Sequence, residues 1–168
     1  MPIIPNFPQA LLREHQIWHH DHHVTPGTTP PVGFGEQFLR FHRDFINRVY
    51  VWYERQGYDP RYIAPWDGIP EAIRRSPCHN EAAANRIINN PRSFPTLDQY
   101  GRFMEGSGVH GCIHAASARI FREPEIDNFD LAPRQTVFYN IHGMIDGWYR
   151  NWEAAWGLRP SARQSGKR

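Results

Sequence analysis

Histidines recur every four residues in two separate segments of this chain, and that spacing constrains the fold more than any other feature. His15, His19 and His23 lie in the first segment, and His110 and His114 lie in the second. Residues four apart share one face of an α-helix, so two imidazoles at this spacing can bind one metal ion. The chain has ten histidines in 168 residues, where ordinary composition gives about four. The spacing therefore predicts two metal-binding helices.

Two further histidines, His42 and His142, stand singly in segments whose other inward positions are aromatic. One pair from each segment and the two single residues make six imidazoles on four predicted helices, the number needed for two metal ions with three histidines each. Copper, zinc, nickel and iron all bind imidazole. The Glu-x-x-His pattern of di-iron bundles is absent from the sequence. A site with only histidine ligands favours copper, with zinc as the alternative.

Weaker interpretations apply to each histidine segment taken alone. A single His-x-x-x-His pair arises often by chance, and a lone histidine among aromatic residues is commonly a core residue. The run from His19 to His23 also fits a solvated polar turn or an adventitious nickel site. The repetition of pair and single residue along the chain favours metal binding over these alternatives.

Prolines and glycines divide the chain into helical segments. Apolar residues at helical spacing predict helices over residues 8–23, 36–56, 81–90, 96–105, 107–121 and 134–156. No segment alternates with a period of two over a convincing length. The expected fold class is all-α: a four-helix bundle that holds a dinuclear metal site, with long irregular connections. We expect one domain over residues 1–160 and a disordered basic tail over residues 161–168.

The composition excludes several other classes of protein. The chain is 40% hydrophobic with a net charge of +2, which argues against disorder and against nucleic-acid binding. No apolar run approaches the roughly 20 residues of a membrane-spanning helix. No signal peptide is visible, which makes the cytoplasm the default expectation. Cys78 and Cys112 are too few for a disulfide scaffold, and either a disulfide between them or free thiols is possible.

Four segments of the sequence resemble the type-3 copper proteins, which include tyrosinases, catechol oxidases, and the arthropod hemocyanins and prophenoloxidases. Residues 17–26 (IWHHDHHVTP) are similar to the first copper A segment, and residues 35–42 (GEQFLRFH) to the segment with the third copper A ligand. Residues 109–114 (VHGCIH) resemble the copper B pair, and residues 138–146 (FYNIHGMID) the last copper B segment. The chain would retain only the copper-binding core of these proteins.

The resemblance implies two copper ions, dioxygen as a partner and a small phenolic or catecholic substrate. The ligands that it implies are His19, His23, His42, His110, His114 and His142. It makes His15 a neighbour of the first pair rather than a ligand. The implied activity is that of a copper-dependent phenol or catechol oxidase, which converts o-diphenols or phenols to quinones with dioxygen. Gly111 follows His110 where tyrosinases often have Asn, which favours diphenols over monophenols.

Several residues around the implied ligands receive predicted roles. We expect Asp146, one helical turn after His142, either to orient a ligand ring or to pair with Arg43. Glu105 and Asp130 lie near the copper B segments, and surface charge is the expected role of both. Trp148, Trp152 and Trp156 recur every four residues and form either part of the core or a surface through which the chain forms a homo-oligomer.

Two alternatives to the enzyme stay open at this point. Hemocyanins show that the same site can carry oxygen, so an oxygen-binding or copper-holding protein without turnover is one alternative. A helical domain with structural zinc or nickel is the other.

Overall fold

The computed structural model describes residues 3–25 and 28–158, and this part of the chain is helical without a β-strand. The prediction of an all-α fold is confirmed, whereas a four-helix bundle is not confirmed. The predicted tail lies outside the described residues. The helices are α1 (Gln9–Asp21), α2 (Phe34–Arg55), α3 (Glu71–Arg74), α4 (Glu81–Asn89), α5 (Leu97–Gly106), α6 (Val109–Phe121) and α7 (Thr136–Ala155). Short 3₁₀ turns occupy the connections, at Pro60–Ile63, Pro91–Ser93, Pro124–Asp127 and Ala132–Arg134.

Local sequence signals account for several helix ends. The Thr96 hydroxyl accepts a hydrogen bond from the Gln99 amide (3.1 Å) and caps α5, as expected for threonine at this position. At the start of α6, Gly108 takes the cap position in a left-handed conformation (φ 75°). Left-handed backbone favours glycine, which has no Cβ. The chain between α5 and α6 is therefore a tight turn, and it brings the end of α5 close to the start of α6.

Two hydrophobic clusters form the core. Six histidines lie where these clusters meet: His15, His19, His42, His110, His114 and His142. The larger cluster includes Phe38 and Ile113, and the smaller includes Phe45 and Phe138. His42 contacts a ring from each cluster, with centroid distances of 4.6 Å to Phe38 and 6.4 Å to Phe138. Burial between two apolar clusters removes water from the imidazoles.

Helices α2 and α5 approach each other most closely at two glycines. A Cβ at Gly101 would lie 2.2 Å from the Gly35 carbonyl oxygen, and a Cβ at Gly35 would lie 2.1 Å from the Asp98 carbonyl oxygen. The Asp98 carboxylate accepts hydrogen bonds from the Gly33 and Gly35 amides, each 2.9 Å long. It therefore supplies the N-terminus of α2 with the anionic partner that its own cap residue lacks. This contact fixes the helix that carries His42.

The substitution Gly101→Ala is expected to destabilise the protein by about 3 kcal/mol or more, because the new methyl group overlaps backbone atoms of α2. The matched control is Gly147→Ala in α7, where a Cβ meets no atom within 4 Å. That change is expected to stabilise the protein by up to about 1 kcal/mol through helix propensity. Urea unfolding of both variants measures the difference, and equal stabilities would contradict the close approach of α2 and α5.

The three tryptophans near the end of α7 do not form one uniform surface. Trp148 and Trp152 are buried in the larger cluster, whereas Trp156 is 43% exposed. The Trp152 and Trp156 indole nitrogens both donate to the Phe94 carbonyl oxygen, at 2.9 and 3.1 Å. Two of the three are thus core residues of this chain. In the part of the chain that the structure describes, no helix combines the length and apolar character needed to cross a membrane.

Candidate metal centre

Six histidines form two groups of three, and the ligand nitrogens within each group lie within 4.8 Å of one another. The first triad is His15, His19 and His42, contributed by α1 and α2. The second triad is His110, His114 and His142, contributed by α6 and α7. The four-residue spacing within α1 and within α6 places each pair on one helix face, as the sequence predicts.

The first triad differs from the predicted ligand set in one residue. His15 lies in the triad, whereas the predicted ligand His23 belongs to neither group among the described residues. The reason is that α1 ends at Asp21, so His23 lies beyond the helix and is exposed at the mouth of a pocket. His15, predicted as a neighbour, is 1% exposed and faces His42.

Hydrogen bonds orient two rings of the first triad. The Nδ1 atom of His15 lies 2.8 Å from the Phe129 carbonyl oxygen, and that of His42 lies 2.9 Å from the Phe38 carbonyl oxygen. A carbonyl oxygen only accepts, so each Nδ1 carries the proton and each Nε2 presents a lone pair. Within the described residues, both Nε2 atoms are buried without a hydrogen-bond partner. Leaving such an atom unsatisfied costs about 1–3 kcal/mol, and a bound cation would remove that cost.

The third ring of this triad, His19, is held by aromatic contacts. It stacks on Phe129 at a centroid distance of 5.3 Å and meets Trp18 edge-on at 5.0 Å. The segment around Phe129 therefore holds both α1 ligands, one through its backbone and one through its ring.

In the second triad, the Nε2 atoms converge directly. The His142 Nε2 lies 3.4 Å from the His110 Nε2 and 3.2 Å from the His114 Nε2. The His114 Nδ1 lies 2.7 Å from the Ile126 carbonyl oxygen and must carry its proton, so the His114 Nε2 has a lone pair. Ligand nitrogens at about 2.0 Å from a tetrahedral ion stand about 3.3 Å apart. The observed separations fit that arrangement.

Burial keeps five of the six ligand rings neutral. It lowers the pKa of His15 and of His114 to about 3, and that of His19 to about 2. Burial, together with the neighbouring imidazoles, also holds the pKa of His42 and of His142 well below the ordinary value. Metal ions bind the neutral imidazole. These five rings are therefore in the protonation state that a metal requires.

The two triads adjoin each other across α2 and α7. The His42 and His142 rings stack with centroids 4.5 Å apart and planes inclined by 9°. One ligand of the first triad thus lies against one ligand of the second. This geometry fits two metal ions held side by side, and the donor set fits copper or zinc.

A buried ion cluster ties together the two helices that carry these stacked rings. Arg43 on α2 pairs with Asp146 on α7 and with the Glu153 carboxylate (2.8 Å), and its guanidinium lies 3.5 Å from the centroid of the Tyr149 ring. Asp146 also pairs with Arg150. Of the two roles predicted for Asp146, the structure shows the pairing with Arg43. Since Arg43 follows His42 directly, the cluster fixes how α2 and α7 present their histidines.

A disulfide and a carboxylate hold the helix of the second triad. Cys78 and Cys112 form a disulfide that links the segment before α4 to α6, at a position between the two histidines of that helix.

The Glu105 Oε1 lies 2.6 Å from the His110 Nδ1, and the Glu105 side chain is 20% exposed. The expectation that Glu105 is a surface charge is therefore wrong. No periodic signal connects the two residues, because the turn at Gly108 separates their helices. Asp130 instead pairs with His20 (3.1 Å) near the surface.

A pocket of about 270 Å³ reaches both triads from the surface. Its lining includes five of the six clustered histidines, Glu105 and Gly111. The apolar part of the wall comes from Val24, Phe34, Ile126, Phe129, Ala132 and Phe138. The arrangement is a small, largely apolar chamber over two groups of metal-binding nitrogens. No protein-family model, curated protein or solved structure matches the chain.

Proposed function

We propose that this protein is a dinuclear copper oxidoreductase that oxidises o-diphenols to quinones with dioxygen. The observation that carries the proposal is the pair of adjoining histidine triads beneath one apolar pocket, joined by the stacked rings of His42 and His142 at 4.5 Å. The resemblance of four sequence segments to type-3 copper proteins supports the same assignment. Copper would be held by three neutral imidazoles at each triad.

The bound copper pair would supply two-electron redox chemistry, since each ion exchanges one electron. In the balanced reaction, two o-diphenols each lose two electrons and two protons, and one dioxygen is reduced to two water molecules. The contribution of the protein is to hold the imidazoles in position and to exclude bulk water. Phe38 and Phe138, packed against the ligand rings, serve the second task.

The pocket favours a small aromatic substrate. Its walls at Val24, Phe34 and Phe129 offer apolar contact to a ring, and its volume of about 270 Å³ suits a single substituted ring. Gly111 lines the pocket without a polar side chain. Glu105, a partly buried acid of the lining, is already engaged with His110. We therefore expect diphenols, which are acidic enough to react without a dedicated base, to be preferred over monophenols.

Copper-loaded protein mixed with a catechol tests this function. The expected result is quinone absorbance together with consumption of one dioxygen for every two catechols, with metal-free and zinc-loaded protein as inactive controls. A monophenol of the same size is expected to react much more slowly. Reversible oxygen uptake without quinone formation would show an oxygen carrier instead of an enzyme. The absence of both quinone formation and oxygen uptake would contradict the enzyme and the oxygen carrier alike.

A further inference from the structure

Glu105 is a partly buried carboxylate whose ionic partner, among the residues that the structure describes, is an imidazole. Its Oε1 lies 2.6 Å from the His110 Nδ1, an ion-pair contact, and that oxygen is buried without a hydrogen bond in the described chain. No arginine pairs with it there, although arginines pair with most other acids of the protein. The positive charge that would balance this carboxylate is therefore missing from the side chains around it.

Within the described residues, no carboxylate pairs with a ring of the first triad. Backbone carbonyl oxygens stand behind His15 and His42, and an aromatic ring stands behind His19. Asp130, an acid of the same segment as Phe129, pairs with His20, which belongs to neither triad. Among the described residues, the two triads thus match in ligand type and number, but only the second has a carboxylate against one of its rings.

A carboxylate beside the Nδ1 of a metal-binding histidine increases the donor strength of the ring and fixes its orientation. It also offsets the charge of the bound cation in surroundings where water screens little. We propose that Glu105 makes the two centres unequal, so that the second triad binds the first copper ion and binds it more tightly. Glu105 is in this view a positioning residue that acts through His110. The inference rests on the proposed copper chemistry.

The size of the effect follows from comparable sites. Loss of a residue that supports a metal ligand costs about 10- to 100-fold in metal affinity. We therefore expect two dissociation constants for copper that differ by at least about 10-fold in the wild-type protein. The variant Glu105→Gln keeps the size of the side chain and removes its charge. It is expected to raise the lower dissociation constant (the tight step of copper binding) by about 10-fold or more. The higher dissociation constant (the weak step) is expected to stay unchanged.

Competition with a chromogenic chelator for cuprous copper measures both steps on the full chain. The variant His19→Ala, which changes a half-buried ligand of the first triad, is expected to lose the weak step and retain the tight one. The control Asp130→Asn removes a carboxylate near the first triad and is expected to change neither step. Urea unfolding of the metal-free variants shows whether Glu105→Gln lowers stability. A purely structural role of Glu105 would require such a loss.

Each outcome separates this inference from the proposed function. Two copper ions bound with distinct affinities, of which only the tighter depends on Glu105, support the inference. Two ions bound with one affinity that Glu105→Gln does not change overturn it and leave the dinuclear site in place. Fewer than two ions per wild-type chain overturn both. A loss of stability in metal-free Glu105→Gln with both affinities preserved overturns the positioning role.

Discussion

Replacing His15 with alanine is expected to reduce bound copper from two ions per chain to one and to abolish catechol oxidation. His15 is 1% exposed, its Nδ1 is fixed by the Phe129 carbonyl oxygen, and its Nε2 has no other partner within the described residues. Loss of a direct ligand costs more than loss of a supporting residue, so we expect copper affinity at the first triad to fall by more than about 100-fold. Metal analysis after dialysis and oxygen consumption measure the two effects.

The control for this experiment is His23→Ala, because sequence spacing alone makes the two histidines equivalent. His23 is exposed beyond the end of α1 and belongs to neither triad. We expect this variant to keep two copper ions and most of its activity. If His23→Ala loses a copper ion and His15→Ala does not, the first triad is built from His19, His23 and His42 instead.

Replacing Arg43 with leucine is expected to lower the free energy of unfolding by about 3 kcal/mol or more, because it leaves buried carboxylates without their counter-charge. The Glu153 side chain is 7% exposed and pairs with no other cation in the described part of the protein. Asp146 keeps Arg150 as a partner, which places the expected loss at the lower end of the range for broken buried ion pairs. Urea unfolding of the metal-free protein measures the change.

Arg40→Ala is the matched control on the same helix. Arg40 pairs with Glu36 four residues away, and both side chains are exposed. Exposed pairs of this kind contribute about 0.5 kcal/mol or less. Equal decreases in the free energy of unfolding in the two variants would show that the Arg43 cluster does not hold α2 against α7.

Helical periodicity predicted most of the fold, but spacing could not choose the first triad. Residues 15 and 19 are four apart, and so are residues 19 and 23, so both pairs fit one helix face equally well. The choice depends on where α1 ends and on the Phe129 carbonyl oxygen, more than 100 residues away in sequence. The second triad has one pair of histidines four apart, and the structure brings together all three of its predicted members.

Some contacts of the residues around the ligands could be predicted from the sequence, and others could not. Asp146 lies one turn after His142 on a continuous helix, so its pairing with Arg43 was within reach of sequence reasoning. Glu105 meets His110 only because Gly108 adopts a left-handed conformation and reverses the chain between two helices. The partner of Cys112 also depended on the path of the chain, since a disulfide and free thiols fitted the composition equally well.

The most direct test of two side-by-side copper sites is a crystal structure of the copper-loaded protein, with anomalous scattering recorded at the copper edge. The predicted result is two anomalous peaks per chain, each about 2.0 Å from three histidine Nε2 atoms. One peak is expected at His15, His19 and His42, and the other at His110, His114 and His142. A single peak per chain, or copper only at surface histidines such as His20 and His23, would contradict the dinuclear centre.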